Sequence, residues 1–443
     1  MKNLMILPGL FLRSLLQNGV DRVSQKKLQD QDFELQAVPS SAGRGFWKMF
    51  MLMVGFTFFS ASMLAGGTLG QGLSFSHFIV TVLIGNLILG TYTGLLANIA
   101  AKSGLSTHLL TRYSFGEKGS YLPSFLLSIT QIGWFGVGVM MFSVPVQTVT
   151  GWNIWIIIIV SGALMTATAY LGIKALTALS FVAVPAIAIL GTISVGSAVN
   201  TMGGVNELFA YQPTETLTYA AAIAICLGSF ISGGTLTPDF ARFAKTKKIA
   251  VSTTLIAFFL GNSLMFLFGA VGTIATGKSD ISEVMFTQGL ILPAIIILGL
   301  NIWTTNDNSL YASGLGFSNI TKIAKKKLVI VNGLFGTLMA MWLYNNFISW
   351  LGFLNMTLPP IGAIIIADYY FCRAKRYAAL EHHSFQVVRW QAILAWAIGV
   401  LCALFIPGIA PLYSMLGAAV SYVVLAKVFD KPSAQRSSMK EVR

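Results

Sequence analysis

The sequence predicts an all-α membrane protein of twelve transmembrane helices, laid out as two inverted five-helix repeats followed by two accessory helices. Three observations carry this. Of 443 residues, 55% are hydrophobic and only 10% charged, with a mean hydropathy of +0.74, whereas soluble domains carry about 25% charged residues. The apolar runs divide into segments that sort the basic residues almost completely to one side. Two of those segments, five helices apart, share an unusual glycine-rich string.

A spanning helix needs about 20 mostly apolar residues. By that measure the spans fall at 46–73, 77–101, 121–148, 153–172, 175–199, 218–240, 249–276, 287–316, 328–344, 347–371, 390–407 and 410–428. Only helices and closed barrels satisfy their backbone polar groups in lipid. The runs lack the two-residue alternation of a barrel, so they are helices. An even count puts both termini on one side. With that side cytoplasmic, 28 of the 29 Lys and Arg residues lie inside and Lys278 alone outside. A miscounted span would scramble this asymmetry. The +14 formal charge is therefore a topology signal with some attraction to anionic lipid, not a nucleic-acid footprint. Residues 1–44 form a polar, mobile cytoplasmic segment, 45–430 the membrane domain and 431–443 a cytoplasmic tail. The short apolar run at the start is not read as a cleaved signal peptide. Cys226, Cys372 and Cys402 lack CxxC spacing and read as small core residues.

Span 1 contains Phe59-Ser60-Ala61-Ser62, followed by Gly66-Gly67-Thr68-Leu69. Span 6 contains Phe230-Ile231-Ser232-Gly233-Gly234-Thr235-Leu236. Glycine costs a helix roughly 1 kcal/mol relative to alanine, so each span should be interrupted near its glycine pair. One such motif is explained by close helix packing. A matched pair in oppositely directed helices is the signature of an inverted repeat with a substrate site at the midplane. The repeats are then about 46–199 and 218–371, with accessory helices at about 390–428.

No Lys, Arg or His lies at the centre of any span; His77 and His108 fall at ends or loops, and His382 and His383 in a cytoplasmic loop. Asp239 and Asp368 sit near span ends, leaving Asp307 as the one acid within the bundle. An intramembrane acid is a functional candidate, and a helix-packing role is equally open. The site thus lacks a fixed charge for an ionic substrate. Span 3 offers Gln131 and Trp134 on one helix face, and span 6 offers Ser229, Phe230 and Ser232 at its break. Stacking surfaces beside an amide suit a planar heterocycle with amide-like edges. Six of the eight residues in Asn301-Ile302-Trp303-Thr304-Thr305-Asn306-Asp307-Asn308 of span 8 are polar. The Thr304 and Thr305 hydroxyls, with carbonyls of unwound span 1, suit Na⁺; a polar helix lining a water path is the alternative, and Asp307 keeps proton coupling open. No nucleophile–base pair or metal cluster at depth suggests an enzyme.

Several strings resemble bacterial cytosine permeases of the nucleobase–cation symporter family: Gly55-Phe56-Thr57-Phe58-Phe59-Ser60-Ala61-Ser62-Met63, Thr107-His108-Leu109-Leu110, Gln131-Ile132-Gly133-Trp134-Phe135-Gly136-Val137-Gly138, Gly228-Ser229-Phe230-Ile231-Ser232, Leu300 to Asn308, and Leu343-Tyr344-Asn345-Asn346-Phe347. The likeness runs from about residue 36 to 430. It implies the five-plus-five inverted-repeat (LeuT-like) fold, alternating access, and sodium-coupled import of cytosine by a monomer. It further implies a cytosine ring between Trp134 and Phe230, with Gln131, Ser229, Ser232 and Asn301 along its polar edge. Na⁺ would be held by the Thr304 and Thr305 hydroxyls and the carbonyls of Phe59, Ser62 and Asn301. A symporter of the same fold for uracil, a purine or a hydantoin, and a channel, are the rival readings.

Overall fold

The computed structural model describes residues 32–429, apart from residue 214 and the stretches 279–280, 374–376, 378–379 and 381–382. Expectations placed on residues 1–31, on His382 and on the tail 431–443 lie outside these residues. Regular structure among the described residues is helical, with one isolated parallel bridge between Arg44 and Ala244. In chain order the helices are α1 (Phe46–Thr57), α2 (Ser60–Gly72), α3 (Phe75–Ser103), α4 (Thr107–Phe115), α5 (Tyr121–Thr150), α6 (Ile154–Tyr170), α7 (Ile173–Met202), α8 (Val205–Ala210), α9 (Tyr219–Gly228), α10 (Ile231–Thr235), α11 (Thr237–Ala241), α12 (Lys247–Ile256), α13 (Ser263–Thr276), α14 (Ile281–Thr287), α15 (Ile291–Thr321), α16 (Lys325–Asn345), α17 (Phe347–Thr357), α18 (Pro359–Ala367), α19 (Trp390–Phe405) and α20 (Ala410–Phe429).

Among the described residues, six uninterrupted helices are long and apolar enough to cross a bilayer: α3, α5, α7, α12 running on into α13, α16 and α20. The bent pair α1–α2 makes a seventh. Twelve were expected, and the difference has local causes. The 218–240 segment is divided into α9, α10 and α11, and 347–371 into α17 and α18 with a following π turn. The segments at 153–172 and 390–407 are helices of 17 and 16 residues. The 31-residue α15 carries the polar run Asn301–Asn308.

The first broken helix differs from expectation in where it breaks. Residues Gly66 and Gly67 lie inside continuous, buried α2. The interruption is at Phe58 and Phe59, where the chain turns extended and the axis bends by 53°. The glycines serve packing instead. A Cβ on Gly66 would overlap the Phe266 carbonyl, one on Gly269 would overlap the Met63 carbonyl, and one on Gly70 would sit 2.8 Å from the Ala270 Cα. Small residues thus bring the α2 and α13 backbones together, as membrane helices commonly do. In span 6 the break is at Ser229 and Phe230, with Ile231 and Ser232 between it and the glycine pair. Both interruptions therefore fall at the phenylalanine that opens each matched string.

Residues 32–44, expected to be mobile, are packed across several helix ends. Asp32 accepts the Ile173 N–H at 3.0 Å and pairs with the Lys325 ammonium at 2.6 Å. Arg242 donates to the Asp32 and Phe33 carbonyls at 2.7 and 2.8 Å. The Val38 N–H donates to the Gly104 carbonyl, and the Arg44 N–H to that of Phe243. Lys325 is 1% exposed and stands 4.3 Å from the Tyr311 ring centroid. Removing one partner of a buried pair leaves an uncompensated charge and costs about 3–5 kcal/mol. Asp32→Ala should accordingly lower the melting temperature of the purified protein clearly, and Asp32→Ala combined with Lys325→Met should recover much of the loss.

Candidate functional site

Three elements converge at the two breaks. Helix α5 supplies Gln131 and Trp134, both buried. Its long apolar stretch holds them at depth, and their i, i+3 spacing gives them a common face. The α9–α10 break supplies Ser229 and Phe230, with Ser232 in the first turn of α10. The Trp134 Nε1–H donates to the Ser232 hydroxyl at 3.0 Å, fixing the indole against the break. The third element is the α1–α2 break itself. The Phe59 ring stands nearly perpendicular to both Trp134 (centroids 5.0 Å apart, 76°) and Phe230 (5.8 Å, 84°). Phe230 is in turn held edge-on by Phe56 at 5.1 Å and Phe258 at 5.2 Å. Phe258 lies in the π turn Ala257–Asn262 that joins α12 to α13, and such turns recur at functional sites.

A cavity opens between these groups. Five of the six expected substrate-binding residues line it: Gln131, Trp134, Ser229, Phe230 and Ser232. Asn301 does not. Its Nδ2 donates to the Phe58 carbonyl at 3.1 Å and its Oδ1 accepts from the Ser60 hydroxyl. The reason is that a helix break leaves backbone groups without intrahelical partners, and this amide caps them from the neighbouring helix.

Four wall residues were missed: Phe56, Gly233, Asn308 and Ser309. The signal for two of them was present, because Asn308 and Ser309 follow Thr305 at i+3 and i+4 on one face. No wall residue is ionisable. Two buried polar atoms of the wall, Gln131 Nε2 and Asn308 Oδ1, have no hydrogen-bond partner among the described residues. Leaving such an atom unsatisfied costs about 1–3 kcal/mol, a cost a ligand with complementary edges would relieve.

Of the residues expected to hold a cation, Phe59 and Thr305 line this cavity, and Ser62, Asn301 and Thr304 do not. The Thr304 and Thr305 hydroxyls both donate to the Asn301 carbonyl, at 2.8 and 3.1 Å. Their lone pairs stay free to bind a cation. The Phe59 carbonyl accepts the Ser62 N–H at 3.0 Å. The Ser62 hydroxyl turns away, donating to Asn262 Oδ1 at 2.7 Å. The set is one of neutral oxygens next to an unwound segment, which suits a small hard monovalent cation. Asp307 is not on the wall: the Thr168 hydroxyl of α6 donates to its Oδ1 at 2.8 Å. Asp239 accepts the Thr107 N–H at 2.8 Å. His108 lies 3.7 Å from it but is pushed down to about 3 by burial, so it is neutral near pH 7. Asp368 is tied to Arg373 at 3.3 Å and to the Tyr377 and Tyr422 hydroxyls at 2.8 and 2.7 Å.

Residues 37–426 match the family described as permeases for cytosine/purines, uracil, thiamine and allantoin. The chain belongs to this family. It is 55% identical to the cytosine permease of Escherichia coli K12 over 403 residues, covering 91% of this chain and 96% of that one. It is 21% identical to the hydantoin permease of Microbacterium maritypicum, with 82% of each chain covered. Among solved structures it is similar to Mhp1, a nucleobase-cation-symport-1 family transporter in a closed conformation with bromovinylhydantoin bound. That similarity has a TM-score of 0.77 at 20% identity, over 89% of this chain and 95% of that one, and it shows a shared fold. The permease is thus a multi-pass membrane transporter and not an enzyme.

The unpartnered amide gives this site a stability cost of its own. Gln131→Leu removes a buried unsatisfied donor at similar side-chain volume. The variant should melt no lower than the parent without ligand, and up to about 1 kcal/mol more stably. Ligand-induced stabilisation should be lost, as measured by thermal shift with and without a nucleobase.

Proposed function

We propose that this permease imports cytosine across the bacterial inner membrane, coupled to inward movement of Na⁺. The observation that carries the reading is the cavity wall. It has two aromatic faces, Trp134 and Phe230, two unpartnered amide atoms, and no ionisable side chain. A neutral planar ring with adjacent donors and acceptors satisfies such a wall; a carboxylate, phosphate or ammonium would be left without a counter-charge. The 55% identical relative that bears the name cytosine permease supports cytosine as that ring.

In the proposed mechanism the base enters the slot between Trp134 and Phe230, with Gln131, Ser229 and Ser232 along its edge. Sodium is held by the Thr304 and Thr305 hydroxyls and by carbonyls of Phe59, Ser62 and Asn301. It bridges the first helix to α15 and favours the state open to the outside. Substrate binding closes the outer path, and the loaded transporter then opens inward. The full arrangement is twelve spans with both termini cytoplasmic, in repeats at about 46–199 and 218–371, working as a monomer. Coupling requires each ligand to raise affinity for the other by the same factor. A second reading is a symporter for another neutral ring; the hydantoin permease relative favours keeping it.

Binding of labelled cytosine to purified protein, in sodium and then in potassium or choline, tests the reading. Cytosine should bind at least about fivefold more tightly in sodium, the lower end of ordinary coupling. Unlabelled uracil competing as well as cytosine would favour the second reading, and equal affinity in all three cations would end the sodium claim. Base–aromatic stacking contributes about 1–3 kcal/mol per base. Trp134→Ala should therefore weaken cytosine binding by about tenfold or more while the protein stays folded in the membrane.

A further inference from the structure

The interruption between α1 and α2 consists of two residues with different surroundings. Phe58 is 2% exposed, and its carbonyl accepts from Asn301 Nδ2. It anchors the break to α15. Phe59 is half-buried, and its ring lines the cavity. That ring touches both aromatic walls of the slot edge-on, at 5.0 and 5.8 Å. Its backbone is extended, with φ −126° and ψ 126°, at the point where α2 begins.

We infer that the Phe59 ring transmits the state of the broken first helix to the base-binding slot, and so sets the coupling between cation and substrate. The inference rests on the sodium-coupled reading above. A cation drawn to the carbonyls of this segment and to the Thr304 and Thr305 hydroxyls fixes the peptide planes on either side of Phe59. The Cα–Cβ direction of Phe59 is fixed with them. The ring is the third side of the slot, so fixing it sets the separation and tilt available to a base between Trp134 and Phe230. Conversely, a base that seats the ring selects the backbone geometry the cation prefers. From α15, Thr305 also lines the cavity, but the Phe59 ring is the group that the broken first helix itself places between the two aromatic walls; Asn301, which grips the same break, does not reach the cavity. Phe59 is a positioning residue in this role, because substitution leaves its carbonyl in place.

The test compares cytosine affinity in sodium and in potassium, by isothermal titration of the purified full-length chain, for the parent and for Phe59→Leu. Sodium-induced thermal stabilisation without cytosine is measured alongside. The parent should bind cytosine at least fivefold more tightly in sodium. Phe59→Leu should still be stabilised by sodium, and should bring the ratio of cytosine affinity in sodium to that in potassium down to below about twofold, whatever its affinity in potassium. Phe59→Tyr, which keeps the ring, should retain the parental ratio. If Phe59→Leu cannot be purified folded, Phe59→Met is measured in its place, with the same expectations. A variant that keeps the parental ratio overturns the inference while leaving the sodium reading intact. A variant that loses sodium stabilisation overturns it too, because the ring would then build the ion site itself. A parent without any sodium effect removes both readings.

Discussion

A peptide backbone at the middle of a bilayer has no water to bind, and each unpaired N–H or C=O there costs several kcal/mol. The two interrupted helices meet that constraint differently, the first with a partner from another helix and the second with local bonds. At the first, the Asn301 amide takes the Phe58 carbonyl and the Ser60 hydroxyl, and the Thr57 hydroxyl donates to the Ala257 carbonyl at 3.0 Å. At the second, the Gly234 N–H returns to the Phe230 carbonyl at 2.7 Å, and the Ser229 hydroxyl to that of Cys226 at 2.9 Å. The first break is thus served by a neighbouring helix and the second by its own chain, while Phe59, Ser229 and Phe230 of the breaks themselves line the cavity.

The close contact of α2 with α13 follows from the same requirement. With its N-terminal half bent away by 53°, α2 loses the support of α1 as one continuous rod. Gly66 and Gly70 let it settle directly on the backbone around Phe266 to Ala270. The polar chain Ser62, Asn262, Asn86 and Ser263 adds hydrogen bonds of 2.7 to 2.8 Å across the same region.

Much of this was legible in the sequence, because uninterrupted apolar periodicity reports helices well. The span expected at 121–148 is Tyr121–Thr150, that at 249–276 is Lys247–Thr276, and that at 175–199 is Ile173–Met202. Gln131, Trp134, Ser229, Phe230 and Ser232 do come together on one cavity, since residue chemistry and relative depth could both be read from composition. The position of the first break could not. Phe-Thr-Phe-Phe-Ser contains no glycine or proline, and the partner that permits an extended Phe59 is Asn301, more than 240 residues away. The glycine pair nearby was a true signal with another meaning, close packing. Residues 32–44 looked like a mobile polar segment because their order depends on Arg242 and Lys325, which no local window contains.

A neutral wall constrains how any coupling ion can act. In a site holding a carboxylate, a cation and a substrate could communicate through charge. Here the acid nearest in sequence, Asp307, is engaged by Thr168 on α6 and does not line the cavity. An ion beside Thr304 and Thr305 is therefore left with geometry as its means of influence. It can straighten or tighten an unwound segment, and the ring carried by that segment can widen or narrow the slot. Such coupling needs a backbone already freed from helical hydrogen bonding, yet held firmly on one side. The pairing of a buried, anchored Phe58 with a cavity-lining Phe59 supplies both conditions within two residues.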